Sequence, residues 1–276
     1  MKTFTFFYNR YETATTSLAL AANGINHHVL IHNQKDYDKF IKGKTISGIP
    51  VVTNNGKGLA YQRNSALDLM AAGEWAVFMC DDFEKIKSLP FDWIRSNRKT
   101  LPIDFTNQNN FRISNYATPT LREMYTLFPM LIDVAEKNGI CLIGFGLHDN
   151  PMNLKNKFSN RGLADGRFWL VKKTNQRFDE KAQLIDDMAW TAENVLRHKN
   201  VLVLNWLVPY FERYTAGGFG TTAERMELRK KECSYLVRKY SPLIRFAKKP
   251  NWPNGSHIRL AATDKNIAAT RSRFGL

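Results

Sequence analysis

The sequence has few cysteines and no long apolar run. The first feature argues against a disulfide-rich or cysteine-ligated metal protein, and the second argues against a membrane-spanning one. Its three cysteines, Cys80, Cys141 and Cys233, are odd in number and far apart, so neither a disulfide framework nor a paired-cysteine metal site is expected. No apolar stretch approaches the ~20 residues of a membrane-spanning helix, and the first residues are strand-like rather than signal-like. We therefore expect a soluble cytoplasmic protein without membrane insertion.

Internal repeats, low-complexity tracts and linkers rich in Pro, Gly or Ser are also absent. With 276 residues, of which 43% are hydrophobic, the chain can bury a sizeable core. These features favour one compact domain over residues 1–276.

Acidic residues are scarce relative to basic ones. The chain has 25 Asp and Glu against 40 Lys and Arg, a formal net charge of +15, and residues 221–276 alone hold 13 basic and 4 acidic residues, a net of +9. Such a surface indicates a polyanionic partner, although a solvated helix face followed by a loose basic tail gives the same pattern. The candidate contacts to a nucleic-acid backbone are Arg225, Arg229, Lys230, Arg238, Lys248 and Lys249.

The most informative stretch is 55–82. A glycine-rich turn leads into a helix headed by Arg63 and Asn64, Gly73 ends that helix, and the apolar run 75–79 is typical of a buried parallel strand. Asp81 and Asp82 then follow at the carboxyl end of the strand, where open α/β sheets bind their ligands. Adjacent acids also begin turns and cap helices, so alone they indicate little.

The rest of the chain alternates between strand and helix patterns. Residues 1–8, 29–32, 140–145, 168–171 and 201–208 are predicted strands, and 85–118 is predicted to be irregular. Thr120 and Glu123 form a capping box that opens one helix ending at Gly139, and further helices are predicted over 16–22, 180–198 and 221–240. This alternation predicts an α/β fold with a mainly parallel sheet covered on both faces.

Four groups of residues follow one another in an order that resembles a known family. Tyr8-Asn9-Arg10, Ile31-His32-Asn33, Gly58 to Asn64 and Asp81-Asp82 resemble the nucleotide-sugar-binding half of family 2-type glycosyltransferases of the GT-A fold, over about residues 3–85. The resemblance implies a Rossmann-like GT-A domain with a nucleotide-sugar-binding half (1–85), an acceptor and catalytic half (86–220) and a basic C-terminal helical extension (221–276).

The same resemblance implies a divalent metal ion, Mn²⁺ or Mg²⁺, at the end of the acidic strand. Asp82 is then the metal ligand and Asp81 faces the nucleotide or sugar, with Glu84 as a second acidic contact and His257 as a late metal ligand. Family members usually carry Asp-x-Asp, whereas this chain has Asp81-Asp82-Phe83-Glu84, which leaves the number of ligands open.

Contacts to a UDP-sugar are implied by the resemblance for six residues near the first strands. Amide side chains can recognise a base edge, and guanidinium groups bind phosphates in a forked geometry. The alternative for Arg10 and Arg63 is that they satisfy helix ends and surface acids. The predicted nucleotide-sugar contacts are Tyr8, Asn9, Arg10, Lys57, Arg63 and Asn64.

A second acidic pair, Asp186-Asp187, corresponds in this resemblance to the family's acids at the start of a helix. Asp187 would be the general base that deprotonates an acceptor hydroxyl, with Asp186 beside it. Because the pair follows Ala182, Leu184 and Ile185 in a helical pattern, a solvated helix face is the competing interpretation.

The combined prediction is a metal-dependent transferase that moves a sugar from a UDP-sugar to a hydroxymethylated pyrimidine in DNA. The acceptor part rests on a weaker likeness, through Gly217, Gly218, Gly220 and the basic helix after them, to the GT-A-type DNA glycosyltransferases of bacteriophages. One alternative is transfer to a polysaccharide or lipid-linked acceptor, and another is a non-enzymatic nucleic-acid-binding protein with a decayed GT-A fold. The sugar, the base, the anomeric outcome and the oligomeric state stay open.

Overall fold

The computed structural model describes residues 1–7, 14–43, 47–53, 58–88, 117–146, 158–211, 222–247 and 255–276. The strands in these ranges are β1 (Lys2–Phe7), β2 (His28–Ile31), β3 (Ile49–Val52), β4 (Trp75–Cys80), β5 (Phe83–Ser88), β6 (Leu142–Phe145), β7 (Phe158–Ser159), β8 (Phe168–Lys172), β9 (Leu202–Leu204), β10 (Leu207–Phe211), β11 (Ile244–Phe246) and β12 (Ile258–Leu260). The helices are α1 (Thr15–Ala22), α2 (Gln34–Gly43), α3 (Leu59–Asp68), α4 (Leu121–Tyr125), α5 (Phe128–Lys137), α6 (Asp186–His198), α7 (Thr222–Tyr240) and α8 (Asp264–Phe274).

A central sheet of mixed but mostly parallel strands organises the described part of the chain, in the order β3-β2-β1-β4-β8-β6-β9-β7. Strand β1 pairs in parallel with β2 on one side and with β4 on the other. The chain thus steps outward from β1 to β3 and then returns to place β4 on the opposite side. Such a reversal opens a crevice at the carboxyl ends of the two strands that flank it, here β1 and β4.

The antiparallel strand β8 lies between β4 and β6. Because β8 runs against β4, the residues that precede β8 lie at the carboxyl end of β4, and the Cys80 backbone N–H donates to the Arg167 carbonyl over 2.9 Å. The prediction of a mainly parallel sheet is confirmed in this form, with β8 and β7 as antiparallel members.

Both faces of the sheet carry a hydrophobic core. Along β4, Ala76 and Phe78 contribute to one core, and Val77 and Met79 contribute to the other. Helices α3, α6 and α7 cover the first face, whereas α1, α4 and α5 cover the second. Two buried faces explain why the sequence of β4 is apolar throughout rather than alternating.

Several predicted elements differ from the structure. The capping box at Thr120 is confirmed, but it opens only α4, and a second helix, α5, begins at Phe128 with Pro129 in its first turn. The predicted strand 201–208 is two strands, β9 in the central sheet and β10 in a ribbon with β5. Strand β5 itself occupies 83–88, at the start of a segment that the sequence suggested was irregular.

The described C-terminal residues pack into the protein rather than extending from it. Leu236 and Tyr240 of α7, Ile244, Ile258 and Ile267 belong to the same core as the first face of the sheet. One more helix, α8, follows His257. None of the described helices combines the length and apolarity needed to cross a bilayer.

Candidate active site

The turn after β4 is held by the first residues of α1. Thr16 donates its hydroxyl to the Cys80 carbonyl over 2.6 Å and accepts the Phe83 backbone N–H over 2.9 Å, while the Thr15 hydroxyl donates to the Asp81 carbonyl. These bonds fix the backbone on both sides of the acidic pair. Asp81 is buried and its neighbour Asp82 is half-buried, at the crevice that the strand order creates.

Helix α6 begins directly at Asp186, so both predicted acids lie in its first turn. Carboxylates are favourable there because the free backbone N–H groups make the helix N-terminus electropositive. Asp186 is only 5% exposed, which rules out the solvated-face interpretation for this residue, and Asp187 is half-buried. The predicted helix start at residue 180 is wrong by six residues.

Arg63 of α3 makes a buried ion pair with Asp186 and also donates to the Gly166 carbonyl. Its guanidinium lies over the ring of Trp169, 4.4 Å from the centroid. Arg63 therefore pairs with an acid of the protein itself, as the alternative interpretation expected. That acid, Asp186, is buried rather than on the surface.

Asn64 has a different environment from Arg63. Its amide donates to the Phe178 carbonyl and to Glu180, and it accepts the Phe178 backbone N–H. Both amide hydrogens are thus used inside the protein, where Asn64 joins α3 to the segment before α6.

A cavity of 270 Å³ lies between these elements. It brings together Arg63 from α3, both acids from α6, and Arg225 from the basic helix α7, with Cys80 at the end of β4 in its wall. The full lining is Leu59, Arg63, Cys80, Asp165, Gly166, Arg167, Gln183, Leu184, Asp186, Asp187 and Arg225.

Three lining residues, Asp165, Gly166 and Arg167, were missed by the sequence predictions. Arg167 forms a forked ion pair with Asp165, donating from Nε over 2.8 Å and from Nη2 over 2.7 Å. The available signal was a polar Asp-Gly-Arg turn before a strand. This turn can be assigned to the site only once β8 is known to run antiparallel to β4, because that direction places the turn at the carboxyl end of β4.

Gly166 lies where a side chain would be tightly packed. A Cβ at this position would be 3.1 Å from the Cβ of Asp187 and 3.2 Å from both terminal nitrogens of Arg63. The segment before β8 therefore passes directly against the acid of α6 and the guanidinium of α3, and glycine permits this close approach.

The two acids of α6 have different electrostatic environments. Burial, with added repulsion from Asp165 and Asp186, raises the pKa of Asp187 to about 7. Burial also raises the pKa of Asp186, but the paired Arg63 opposes this shift. Asp186 is thus held as an ion pair, and Asp187 is the carboxyl group poised to exchange a proton near neutral pH.

None of the predicted metal ligands Asp82, Glu84 and His257 belongs to the cavity lining, and neither does Asp81. Glu84 is in β5 and forms an exposed ion pair with Lys85 over 2.6 Å, and His257 immediately precedes β12. In the described ranges no three His, Cys, Asp or Glu side chains cluster closely enough to hold a metal ion. The predicted Tyr8, Asn9, Arg10, Lys57, Lys248 and Lys249 lie outside the described residues.

The predicted nucleic-acid contacts of α7 divide into different groups. Arg225 lines the cavity, the Nε of Arg229 donates to the Ser256 carbonyl over 2.8 Å, and Lys230 pairs with Glu227 over 2.8 Å. Arg238 is exposed near the end of the helix. The basic helix therefore contributes to the cavity as well as to the surface.

No protein-family model and no curated protein matches the chain. One similar solved structure is mannose-6-phosphate isomerase from Helicobacter pylori, with 12% identity over 97% of this chain and 89% of that chain, and a TM-score of 0.29. A likeness at this level establishes neither a shared fold nor a shared activity.

Proposed function

We propose that this chain is a GT-A-type glycosyltransferase that moves a sugar from a UDP-sugar to a hydroxymethylated pyrimidine in DNA. The observation that carries the proposal is Asp187, a carboxyl group with a pKa of about 7, in a cavity that also contains arginines and Cys80, the last residue of β4 before Asp81 and Asp82. A general base is most effective when its pKa lies near the working pH.

In the proposed reaction, the acceptor hydroxyl oxygen attacks the anomeric carbon of the sugar. The bond from that carbon to the phosphate oxygen breaks, UDP leaves with the bonding electron pair, and Asp187 takes the hydroxyl proton. Asp186, neutralised by Arg63, keeps the first turn of α6 in place. A single displacement of this kind inverts the anomeric centre.

The donor set at the end of β4 suits a hard divalent cation such as Mn²⁺ or Mg²⁺. Asp82 would hold the ion and Asp81 would face the nucleotide, because carboxylate oxygens together with substrate phosphates are the ligands that Mg²⁺ prefers. When bound, the ion would act as a Lewis acid on the diphosphate leaving group. Two carboxylates are few for a metal alone, so we expect tight metal binding only together with UDP.

The net charge of +15 favours DNA over a neutral polysaccharide as the acceptor. A hydroxymethyl group at the pyrimidine 5-position projects into the major groove, but a recessed cavity requires the base to leave the stack. A lipid-linked acceptor at an anionic membrane surface remains the competing proposal, since basic helices also bind anionic headgroups.

The test is incubation with a panel of UDP-sugars and duplex DNA, either hydroxymethylated or unmodified, followed by mass spectrometry of the nucleosides. We expect one hexose or pentose mass added to the hydroxymethylated base alone. Sugar transfer to oligosaccharide or lipid acceptors but not to DNA would replace the acceptor proposal, and absence of donor binding would reject glycosyl transfer.

A further inference from the structure

Two of the three arginines that line the cavity form ion pairs with acids of the same lining, and the third does not. Arg63 pairs with Asp186, and Arg167 pairs with Asp165. Arg225, the third arginine of the lining, is exposed and has no ion-pair partner among the described residues. A cation at a cavity wall without an acid partner is a candidate contact for an anionic ligand.

Helix α7, which carries Arg225, is firmly attached beside the acids of α6. Glu232 is 3% exposed and accepts the backbone N–H groups of Gln183 and Leu184, each over 2.9 Å, just before α6 begins. Arg225 and Glu232 are seven residues apart, about two helical turns, and so lie on the same face of α7. The attachment through Glu232 therefore directs Arg225 to the cavity.

The N-terminus of α3 forms another wall of the cavity and is electropositive. Gly58, its N-cap, has φ of +101° and provides no side-chain cap, and the first turn contains no acidic residue. Gln183 packs on this end of the helix, because a Cβ at Gly58 would lie 2.9 Å from its side chain. Leu59, the first residue of the ten-residue α3, lines the cavity together with Arg225, so the electropositive end of this helix lies at the same space.

Arg63 supplies a further donor at the same place. Its side chain is 1% exposed and lines the cavity, and its Nε has no hydrogen-bond acceptor among the described residues. A buried N–H without an acceptor is costly, so a ligand oxygen that accepts it would be stabilised.

We propose that Arg225 binds a phosphate group in this cavity, together with the N-terminus of α3 and the Nε of Arg63. The inference rests on the proposed function in taking the diphosphate of the donor as the source of that phosphate. It reassigns Arg225, which the sequence suggested was a contact to a nucleic-acid backbone. Because the diphosphate gains negative charge as UDP leaves, Arg225 would also stabilise the departing group.

The experiment is calorimetric titration of UDP, pyrophosphate and uridine, with Mg²⁺ present, into the wild type and the Arg225→Gln and Arg122→Gln variants. Arg122 is the matched control because it is an exposed arginine of α4, which covers the opposite face of the sheet, and it lies outside the cavity lining. We expect Arg225→Gln to weaken UDP and pyrophosphate about tenfold or more, since it removes a charge-assisted hydrogen bond. Uridine, which lacks phosphate, should bind both variants as it binds the wild type.

A parallel titration with duplex DNA at several salt concentrations distinguishes the two sources of phosphate. Unchanged UDP affinity in Arg225→Gln would overturn the proposal, and a lowered salt dependence of DNA binding in that variant would assign Arg225 to the DNA backbone. If pyrophosphate binds through Arg225 but no UDP-sugar is bound or turned over, the phosphate site stands and the glycosyltransferase proposal fails. Normal UDP binding and sugar transfer by Arg225→Gln would reject the phosphate site at Arg225 and leave the glycosyltransferase proposal standing.

Discussion

The guanidinium of Arg63 donates to the carboxylate of Asp186, although the two residues are 123 positions apart in the chain. This buried pair joins the middle of α3 to the first turn of α6 and neutralises one member of the acidic pair. Asp187, the next residue, instead faces the repulsion of Asp165 and Asp186. Two adjacent aspartates therefore have separate tasks, one as a structural ion pair and one as the proposed base.

The proposed base is tested by Asp187→Asn, which keeps the size of the side chain but cannot accept the acceptor's proton. Sugar transfer should fall about a hundredfold or more, because general-base catalysis contributes about 10²–10⁴ in rate. UDP affinity, measured by calorimetry, should stay within a few-fold of wild type. Near-normal turnover would mean that Asp187 is not the base.

The pKa of Asp187 also predicts a dependence on pH. A base must be ionised, so kcat/KM should rise with pH and level off above about pH 7, provided that no other group limits the rate. A profile that is flat between pH 5.5 and 8.5 would contradict this assignment.

The free energy of unfolding should fall with rising pH because of Asp187, whereas kcat/KM should rise. Because the folded-state pKa of Asp187 lies above its unfolded value of 3.8, the folded protein binds the extra proton, and stability is lost as pH rises toward 7. Asp187→Asn removes this loss, so its thermal midpoint should exceed that of the wild type at pH 8. The difference should shrink as the pH is lowered toward 4, as scanning calorimetry would reveal.

Asp186→Asn should destabilise the protein, unlike the substitution at its neighbour. It leaves the buried Arg63 charge unpaired, and breaking a buried ion pair costs about 3–5 kcal/mol in the free energy of unfolding. Asp68→Asn is the control, because the Asp68 and Arg177 pair is largely exposed and should contribute at most about 1 kcal/mol. Urea unfolding of both variants checks the contrast, and similar losses would contradict it.

The proposed metal dependence is tested at the end of β4. Asp82→Asn and excess chelator should each remove most activity while the thermal midpoint stays near that of the wild type, because the aspartate is assigned to the ion rather than to the core. Glu84→Gln is the companion variant, and we expect a smaller loss because Glu84 pairs with Lys85 in an exposed position. Full turnover in chelator would exclude the metal-dependent mechanism.

The surface of α7 outside the cavity predicts how DNA binding depends on salt. Replacing Lys230 and Arg238 with Gln should lower the slope of log affinity against log salt by about two units, one for each lost phosphate contact. The control pair, Arg122→Gln with Lys137→Gln, changes the same charge on helices that cover the opposite face of the sheet. Equal slopes in the two double variants would favour a carbohydrate or lipid acceptor.

Local patterns predicted many of the elements but not their partners. The apolar run that became β4, the capping box at Thr120 and the basic helix α7 were readable because each depends on neighbours within a few residues. The division of 201–208 into β9 and β10 was not predictable from the sequence, since an apolar run does not show which sheet a strand will join. The hydrogen bonds between Asn64 and Phe178 were not predicted either, because the two residues are 114 positions apart in the chain.

The sequence by itself determined the α/β class, the acidic pairs at 81–82 and 186–187, and the excess of positive charge, because composition, periodicity and strand-end chemistry are properties of short segments. Only the tertiary structure decided which of these groups meet. The reversal at β1 and the antiparallel course of β8 bring Arg63, Asp165, Asp187 and Arg225 around one cavity. Burial and neighbouring charges then set the pKa of Asp187, and neither quantity exists until distant parts of the chain are packed together.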